Sequence, residues 1–135
     1  MPKTDKETLN KIHEAAEKEF LEKGFKDASL RNIVKTVGVT TGAFYGYYKS
    51  KEELFEALVG PVAQHFLNRF SKTVKDFNRL PAEEQKKQRE NYSNNFTVEG
   101  IEFAYNHLNC MKLLLTASGG TGYENFVHDI VELEI

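Results

Sequence analysis

Between Gly24 and Lys51 the chain concentrates side chains that bind nucleic acid. This segment holds one carboxylate, Asp27, against five cations: Lys26, Arg31, Lys35, Lys49 and Lys51. Its net charge is +4, within a chain of 135 residues whose formal net charge is −2. Hydroxyl and aromatic side chains follow from Thr40 to Tyr48. Because cations neutralise phosphates, hydroxyls bond phosphate oxygens and apolar groups touch thymine methyls, the segment is predicted to bind duplex DNA.

Two short helices separated by a glycine turn are predicted to carry these residues. Ser29 is a natural N-cap for an apolar run that ends at Gly38, and Thr40 or Thr41 caps the next run. Two helices of about two turns joined by a tight turn form a helix-turn-helix. Such a unit places its second helix in the major groove while the first crosses the DNA backbone.

The flanking sequence has helical rather than strand periodicity. An amphipathic helix over residues 8–21, ended at Gly24, is predicted before the pair. A capping box at residues 50–53 opens a fourth helix after it. Within that helix Gly60-Pro61 predicts a kink or break, since proline removes a helical hydrogen bond, and Leu80-Pro81 predicts a loop.

The C-terminal part of the sequence is also predicted to be helical. A helix opens at Ala82, and apolar periodicity returns from Phe96 to Leu115. The glycine-rich stretch Ser118–Gly122 interrupts it, and Tyr123–Ile135 is predicted to form another amphipathic helix. The predicted fold class is all-α, with a three-helix N-terminal domain and a helical domain behind it.

Catalytic and metal-binding signatures are missing from the sequence. The four histidines have no spacing suited to a metal, and a lone Cys110 excludes an internal disulfide or a multi-cysteine zinc site. Gly119–Gly122 lacks the lysine of a phosphate-binding loop. We therefore expect no enzymatic activity, no metal and no cofactor. With neither a transmembrane run nor a secretory signal, a cytoplasmic protein is expected.

Five stretches of the N-terminal region carry a family pattern. They are Gly24-Phe25, Ser29-Leu30-Arg31-Asn32-Ile33, Gly38-Val39-Thr40, Gly42-Ala43-Phe44-Tyr45 and Tyr48-Lys49-Ser50-Lys51-Glu52-Glu53-Leu54. Together they closely resemble the DNA-binding domain of TetR-type (TetR/AcrR) transcriptional repressors. The match runs without gaps from about Leu9 to Leu58.

The resemblance implies an all-helical homodimer that binds operator DNA. It divides the chain into a DNA-binding domain at residues 1–50 and a helical regulatory domain at residues 51–135, which binds a small-molecule effector and mediates dimerisation. Family members are usually longer by about two helices, which form most of their dimer interface. We therefore expect the regulatory domain to be incomplete here, as a truncation, a natural short form or part of a longer product.

Site residues follow from the resemblance position by position. Ser29, Tyr45 and Lys51 would contact phosphate, and Thr40 would lie on the same DNA-binding surface. The residues that would face base edges are Arg31, Thr41, Gly42, Ala43 and Tyr47. Tyr48 is instead expected in the core, and Lys35 and Lys49 are read as solvated charges. Two departures, Ala28 for a frequent threonine and Gly46 for a larger side chain, leave the operator sequence open.

An effector pocket is a second hypothesis from the resemblance. Its expected lining is Phe66, Phe70, Tyr92, Phe96, Phe103, His107 and Met111. Apolar and aromatic side chains with a few polar anchors are typical of ligand cavities. The alternative interpretation is that these aromatic residues are the packed core of a helical domain.

The function predicted is a ligand-responsive transcriptional regulator that acts as a repressor. As a dimer it would place two recognition helices about 34 Å apart on a near-palindromic operator, and a small-molecule effector would release it. Two alternatives stay open at this stage. One is a non-enzymatic helical interaction module whose helix-turn-helix no longer binds DNA, and the other is a ligand-binding or hydrolytic helical protein.

Overall fold

Six helices and no strand make up the part of the chain that the computed structural model describes, residues 2–126, 128 and 129. The helices are α1 (Pro2–Asp27), α2 (Leu30–Val37), α3 (Thr41–Tyr47), α4 (Lys51–Asn78), α5 (Ala82–Asn106) and α6 (Leu108–Thr116). The all-α prediction is confirmed, including the short pair α2 and α3 between two long helices.

Helix α1 is interrupted near its C-terminal end at the predicted glycine. Gly24 has φ 79° and ψ 164°, a conformation that residues with a Cβ rarely adopt. The N–H of the next residue, Phe25, donates to the carbonyl of Ala117 at 2.9 Å. The end of α1 is thus joined to the segment that follows α6.

The helix-turn-helix is capped where the sequence predicts. The Ser29 hydroxyl accepts from Asn32 N–H at 3.2 Å and opens α2. Gly38, with φ 84°, ends α2 and donates its N–H to the carbonyl of Val34 at 3.0 Å. The Thr40 hydroxyl accepts from Ala43 N–H at 3.1 Å and opens α3. Each cap satisfies backbone groups that have no partner inside the helix, so the turn between the helices is well defined.

Helix α4 begins with the predicted cap and continues through its proline. Ser50 accepts from Glu53 N–H at 3.1 Å, while the Glu53 carboxylate accepts from Lys49 N–H at 3.0 Å. Of the kink or break predicted at Gly60-Pro61, the break is wrong, because α4 runs unbroken from Lys51 to Asn78. Val59, Gly60 and Ala63 are buried on either side of Pro61, so tertiary packing holds the helix across the missing hydrogen bond.

Two further boundaries follow α4. The loop at Leu80-Pro81 is confirmed, with α5 beginning at Ala82. His107, at φ −127° and ψ 43°, separates α5 from α6, a break that the continuous apolar periodicity did not predict. The predicted interruption at Ser118–Gly122 is confirmed. Of the helix predicted over 123–135, residues 127 and 130–135 lie outside the described residues.

The core is one continuous cluster that spans both halves of the chain. Phe20, Phe25 and Phe55 pack their rings together, with centroids 5.1–5.9 Å apart. Helix α6 packs against both α1 and α4 and buries Met111, Leu113 and Leu114. Burying a large apolar side chain stabilises the fold by about 1.5–3 kcal/mol, so α6 contributes substantially to holding the N-terminal helices. The division at residue 50 stays a prediction.

Candidate nucleic-acid interface

Helix α3 presents an exposed face of small and hydroxyl side chains. Thr41, Gly42 and Ala43 are exposed, and Tyr45 is 43% exposed. Phe44, fully buried, anchors the opposite face in the core. A short helix held by one buried aromatic ring, with small residues outward, can approach base edges closely.

The preceding helix of the helix-turn-helix adds an exposed cation and a hydroxyl. Arg31 is exposed on the first turn of α2, where the guanidinium is available to phosphate or base edges. Ser29 is half-buried at the N-cap, and its hydroxyl proton stays available for an acceptor while its oxygen accepts from Asn32. The Thr40 hydroxyl is similarly engaged as an acceptor at the start of α3.

Lys51 makes intramolecular contacts at the start of α4. Its ammonium donates to the carbonyls of Lys26 at 2.9 Å and Ala28 at 3.3 Å. The same nitrogen lies 4.7 Å from the centroid of the Phe25 ring, within cation–π range. Lys51 therefore ties the start of α4 to the connection between α1 and α2, and its predicted phosphate contact stays a prediction.

The two adjacent tyrosines after Gly46 lie in similar surroundings. Tyr47, predicted to face base edges, and Tyr48, predicted in the core, are both half-buried and pack against the core cluster. The Tyr48 hydroxyl lies 2.6 Å from Nε2 of His13 on α1. Burial raises the pKa of Tyr48, with a contribution from the negative charge of Glu53.

Residue 13 is one position that the sequence reading passed over. His13 joins α1 to the end of α3 through this contact. Burial lowers the pKa of His13, and the nearby carboxylate of Glu17 partly opposes this effect. His13 follows the buried Ile12 on the apolar side of α1. This position in the amphipathic pattern is the feature that could have predicted a packed histidine.

Glu19 is a second position that the sequence reading passed over. Its carboxylate is buried and accepts from Ser29 N–H at 2.8 Å and from Lys23 Nζ at 2.9 Å. Burial raises the pKa of Glu19, but the hydrogen bonds from Lys23 and Ser29 and the Lys23 charge outweigh it and lower the pKa overall. A carboxylate at a helix N-terminus also complements the helix dipole. Glu19 therefore fixes where α2 begins.

Comparison with known proteins shows which family has a similar helix-turn-helix region. Residues 12–58 match the family model described as bacterial regulatory proteins, tetR family. The matched residues contain the whole helix-turn-helix with its caps and the start of α4. Residues 12–58 are thus similar to the DNA-binding domain of TetR-family regulators.

Individual relatives agree with this family. The chain is 42% identical over 53 residues to YdgC of Bacillus subtilis, an uncharacterised HTH-type transcriptional regulator, covering 39% of this chain and 27% of YdgC. It is 42% identical over 53 residues to the HTH-type transcriptional regulator TtgR of Pseudomonas putida, covering 39% and 25%. The transcriptional repressor BepR of Brucella suis is 39% identical over 54 residues, covering 40% and 26%.

These similarities cover 39–50% of this chain. The chain spans about a quarter to a third of the length of the curated relatives it matches. No solved structure gives a significant match. Among the described helices, none combines the length and the hydropathy needed to cross a membrane.

The residues predicted to line an effector pocket are distributed over two environments. Phe70, Tyr92 and Phe96 line an open groove of about 520 Å³ between α4 and α5. Tyr92 and Phe96 also border a hollow of about 260 Å³, where Arg69 pairs with Glu99. These two adjoining spaces are the part of the predicted pocket that the structure brings together.

The other predicted pocket residues lie outside that groove. Phe66 contacts the rings of Phe96 and Phe103, at centroid distances of 6.0 and 6.2 Å. His107 packs on Phe103 at 4.5 Å, and Met111 is buried in the core. Within residues 6–126, 128 and 129, no group of histidine, cysteine and carboxylate side chains is arranged to hold a metal.

Proposed function

We propose that this chain is a DNA-binding transcriptional regulator of the TetR family that represses its target genes. The observation that carries the proposal is the exposed face of α3, mounted on buried Phe44 beside the exposed cation Arg31, within the residues that match the family. The +4 charge of residues 24–51 supplies the electrostatic attraction to phosphate that a DNA-binding surface needs.

The proposed binding mode places α3 in the major groove. Arg31, Thr41, Gly42, Ala43 and Tyr47 would read base edges, and Ser29, Thr40, Tyr45 and Lys51 would hold the backbone. Two copies would bind half-sites about 34 Å apart on a near-palindromic operator. Lys51 would reach phosphate by exchanging its contacts with the carbonyls of Lys26 and Ala28.

An effector would act on the helices behind this domain. The groove between α4 and α5, lined by Phe70, Phe77, Tyr92 and Phe96, supports a site for an apolar ring, and the nearby Arg69 and Glu99 supply polar anchors. The effector needs to favour the DNA-incompetent state by only about 1–3 kcal/mol to release the operator.

Selection from a pool of random duplexes tests the proposal directly. The purified chain is expected to enrich a near-palindromic motif at low ionic strength, with affinity that falls steeply as salt rises. Arg31→Ala should relax base preference, whereas Lys51→Ala should weaken binding to all duplexes and reduce the salt slope by about one. Lys75→Ala, an exposed cation near the far end of α4, is the matched control and should bind like the unmodified chain.

Two outcomes would count against the proposal. If the chain shows no salt-dependent duplex binding at low ionic strength, the helix-turn-helix serves packing and the interaction-module alternative is favoured. If Lys75→Ala weakens binding as much as Arg31→Ala, the attraction is diffuse and Arg31 on α2 has no special role. Because Lys51→Ala also removes the bonds to Lys26 and Ala28, its thermal unfolding should be measured alongside.

A further inference from the structure

We propose that His13 is a positioning residue for base reading: its hydrogen bond to Tyr48 holds the C-terminal end of α3, and protonation of His13 weakens sequence-specific binding. The inference rests on the proposed function, since it concerns how α3 is held against DNA. The residue lies on α1, a helix that contains none of the predicted DNA-contacting residues.

The position of this hydrogen bond allows it to influence the orientation of the recognition helix α3. Helix α3 has seven residues, and Tyr48 is its C-cap, whose N–H donates to the carbonyl of Phe44 at 3.1 Å. A helix of two turns has few internal hydrogen bonds, so its orientation depends on tertiary anchors. Phe44 provides one anchor in the core, and the 2.6 Å contact between Tyr48 Oη and His13 Nε2 provides the second.

The direction of the hydrogen bond depends on the protonation state of the imidazole. A neutral ring with an unprotonated Nε2 accepts the tyrosine proton, which fits the 2.6 Å separation. A protonated ring can only donate, so the Tyr48 hydroxyl must turn its own proton to another acceptor. Protonation also leaves a cation in a half-buried place, which is costly without a hydrogen-bonded carboxylate.

Burial is the main influence that favours the neutral forms of His13 and Tyr48, and the charged groups around the pair modify it. Glu17 on α1 raises the pKa of His13, but less than burial lowers it. Glu53 on α4 adds to the burial that raises the pKa of Tyr48. On α6 the Cys110 thiol is protonated, because burial and Glu17 raise its pKa. The α2 cations, Arg31 and Lys35, are exposed to solvent.

The experiment compares specific with non-specific affinity as a function of pH. The probes are a duplex enriched by selection and an unrelated duplex of equal length, with binding followed by fluorescence anisotropy from pH 7.5 to 5.0. The ratio of the two affinities cancels the pH dependence of general phosphate attraction. His13→Gln and Tyr48→Phe are the test variants. His128→Gln, which changes an exposed histidine far along the chain, is the matched control.

The expected result is a pH-dependent ratio that needs both partners of the bond. In the unmodified chain and in His128→Gln the ratio should fall about fivefold or more towards pH 5.0. Tyr48→Phe should have the reduced ratio already at pH 7.5, and both test variants should have a flat profile. A role of His13 in stability alone would lower the melting temperature of the variants and leave the profile of the ratio unchanged.

The possible failures are distinguishable. If the unmodified chain selects a motif but His13→Gln keeps the same pH profile, the role of His13 is overturned while the proposed function stands. If the profile is flat in the unmodified chain, the role of protonation is overturned in the same way. If the unmodified chain binds all duplexes equally, the proposed function itself fails and this inference falls with it.

Discussion

At the scale of single residues, buried polar groups on α1 decide where the DNA-binding helices lie. Glu19 accepts the backbone N–H of Ser29, and Ser29 in turn caps α2. The carboxylate therefore fixes the start of the helix that carries Arg31, although it lies ten residues earlier in the sequence. A buried carboxylate that accepts two donors is stabilising only while it is ionised.

Glu19→Gln should reveal this dependence on charge. At pH 7 the variant is expected to lose about 1 kcal/mol of unfolding free energy, because the amide keeps an acceptor for Ser29 but loses the ion pair with Lys23. The pKa of Glu19 is lowered in the folded chain, so its stabilisation is complete above the ordinary value of 4.5 and is lost as the pH falls below it. Urea unfolding of both proteins at pH 7 and at pH 3.5 measures the difference.

The matched control for Glu19 is its exposed neighbour. Glu22→Gln changes an exposed carboxylate on the same helix and should alter the stability by less than about 0.5 kcal/mol. Equal losses for the two variants at both pH values would show that the charge of Glu19 and its ion pair with Lys23 contribute nothing specific.

At the scale of elements, two glycines in the helix-turn-helix have opposite roles. Gly38 ends α2 with φ 84°, where a Cβ is strained even though no atom lies near it. Gly46 lies inside α3 with open space around it and ordinary helical geometry. Glycine is therefore required at residue 38 and merely weakens the helix at residue 46.

Alanine at the two glycines should separate these roles. Gly38→Ala is expected to lower the unfolding free energy by about 1–2 kcal/mol because of the left-handed backbone. Gly46→Ala is expected to raise it by about 0.5–1 kcal/mol because alanine favours the helix. Thermal unfolding of each variant, compared with the unmodified chain, shows whether each substitution lowers or raises the unfolding free energy. A stabilising Gly38→Ala would contradict the left-handed cap.

The elements were predictable where local chemistry defines them. The caps at Ser29, Gly38 and Thr40 were readable because each satisfies backbone groups within four residues. Continuity at Pro61 and the break at His107 depend on tertiary packing, which overrides local preference.

For the site, the sequence supplied the residues but not all of their contacts. The exposed face of α3 follows from the family pattern and the apolar spacing. The bonds from His13 to Tyr48 and from Lys51 to the carbonyls before α2 join residues 23 to 35 positions apart. No local pattern in the sequence encodes such long-range contacts.

At the scale of the whole molecule, α5 has apolar residues on two opposite faces. Phe96 and Phe103 face α4, where they contact Phe66. Val98, Ile101 and Tyr105 lie on the other side and are 57–79% exposed. A helix with two apolar faces is normally covered on both sides, and such an exposed stripe favours association.

The purified chain is therefore expected to self-associate as its concentration rises. Static light scattering from about 1 to 100 μM should show an average mass that increases above 15.5 kDa. Ile101→Glu, which places a charge in the stripe, should reduce this increase, while Glu102→Gln next to it should not. A constant monomer mass over the whole range would show that the stripe does not bind a second copy.

The continuous core has a consequence for engineering. Exchanging DNA-binding domains between regulators assumes that the domain is one continuous segment of the chain that can be separated from the rest. Here Phe25 donates to Ala117, and α6 covers apolar surface of both α1 and α4. A graft that stops at residue 58, where the family match ends, would expose that surface to water. A functional chimera of this protein should carry α6 and residues 117–126 together with the DNA-binding helices. These segments are distant in the sequence, but they pack together in the fold and must be transferred together.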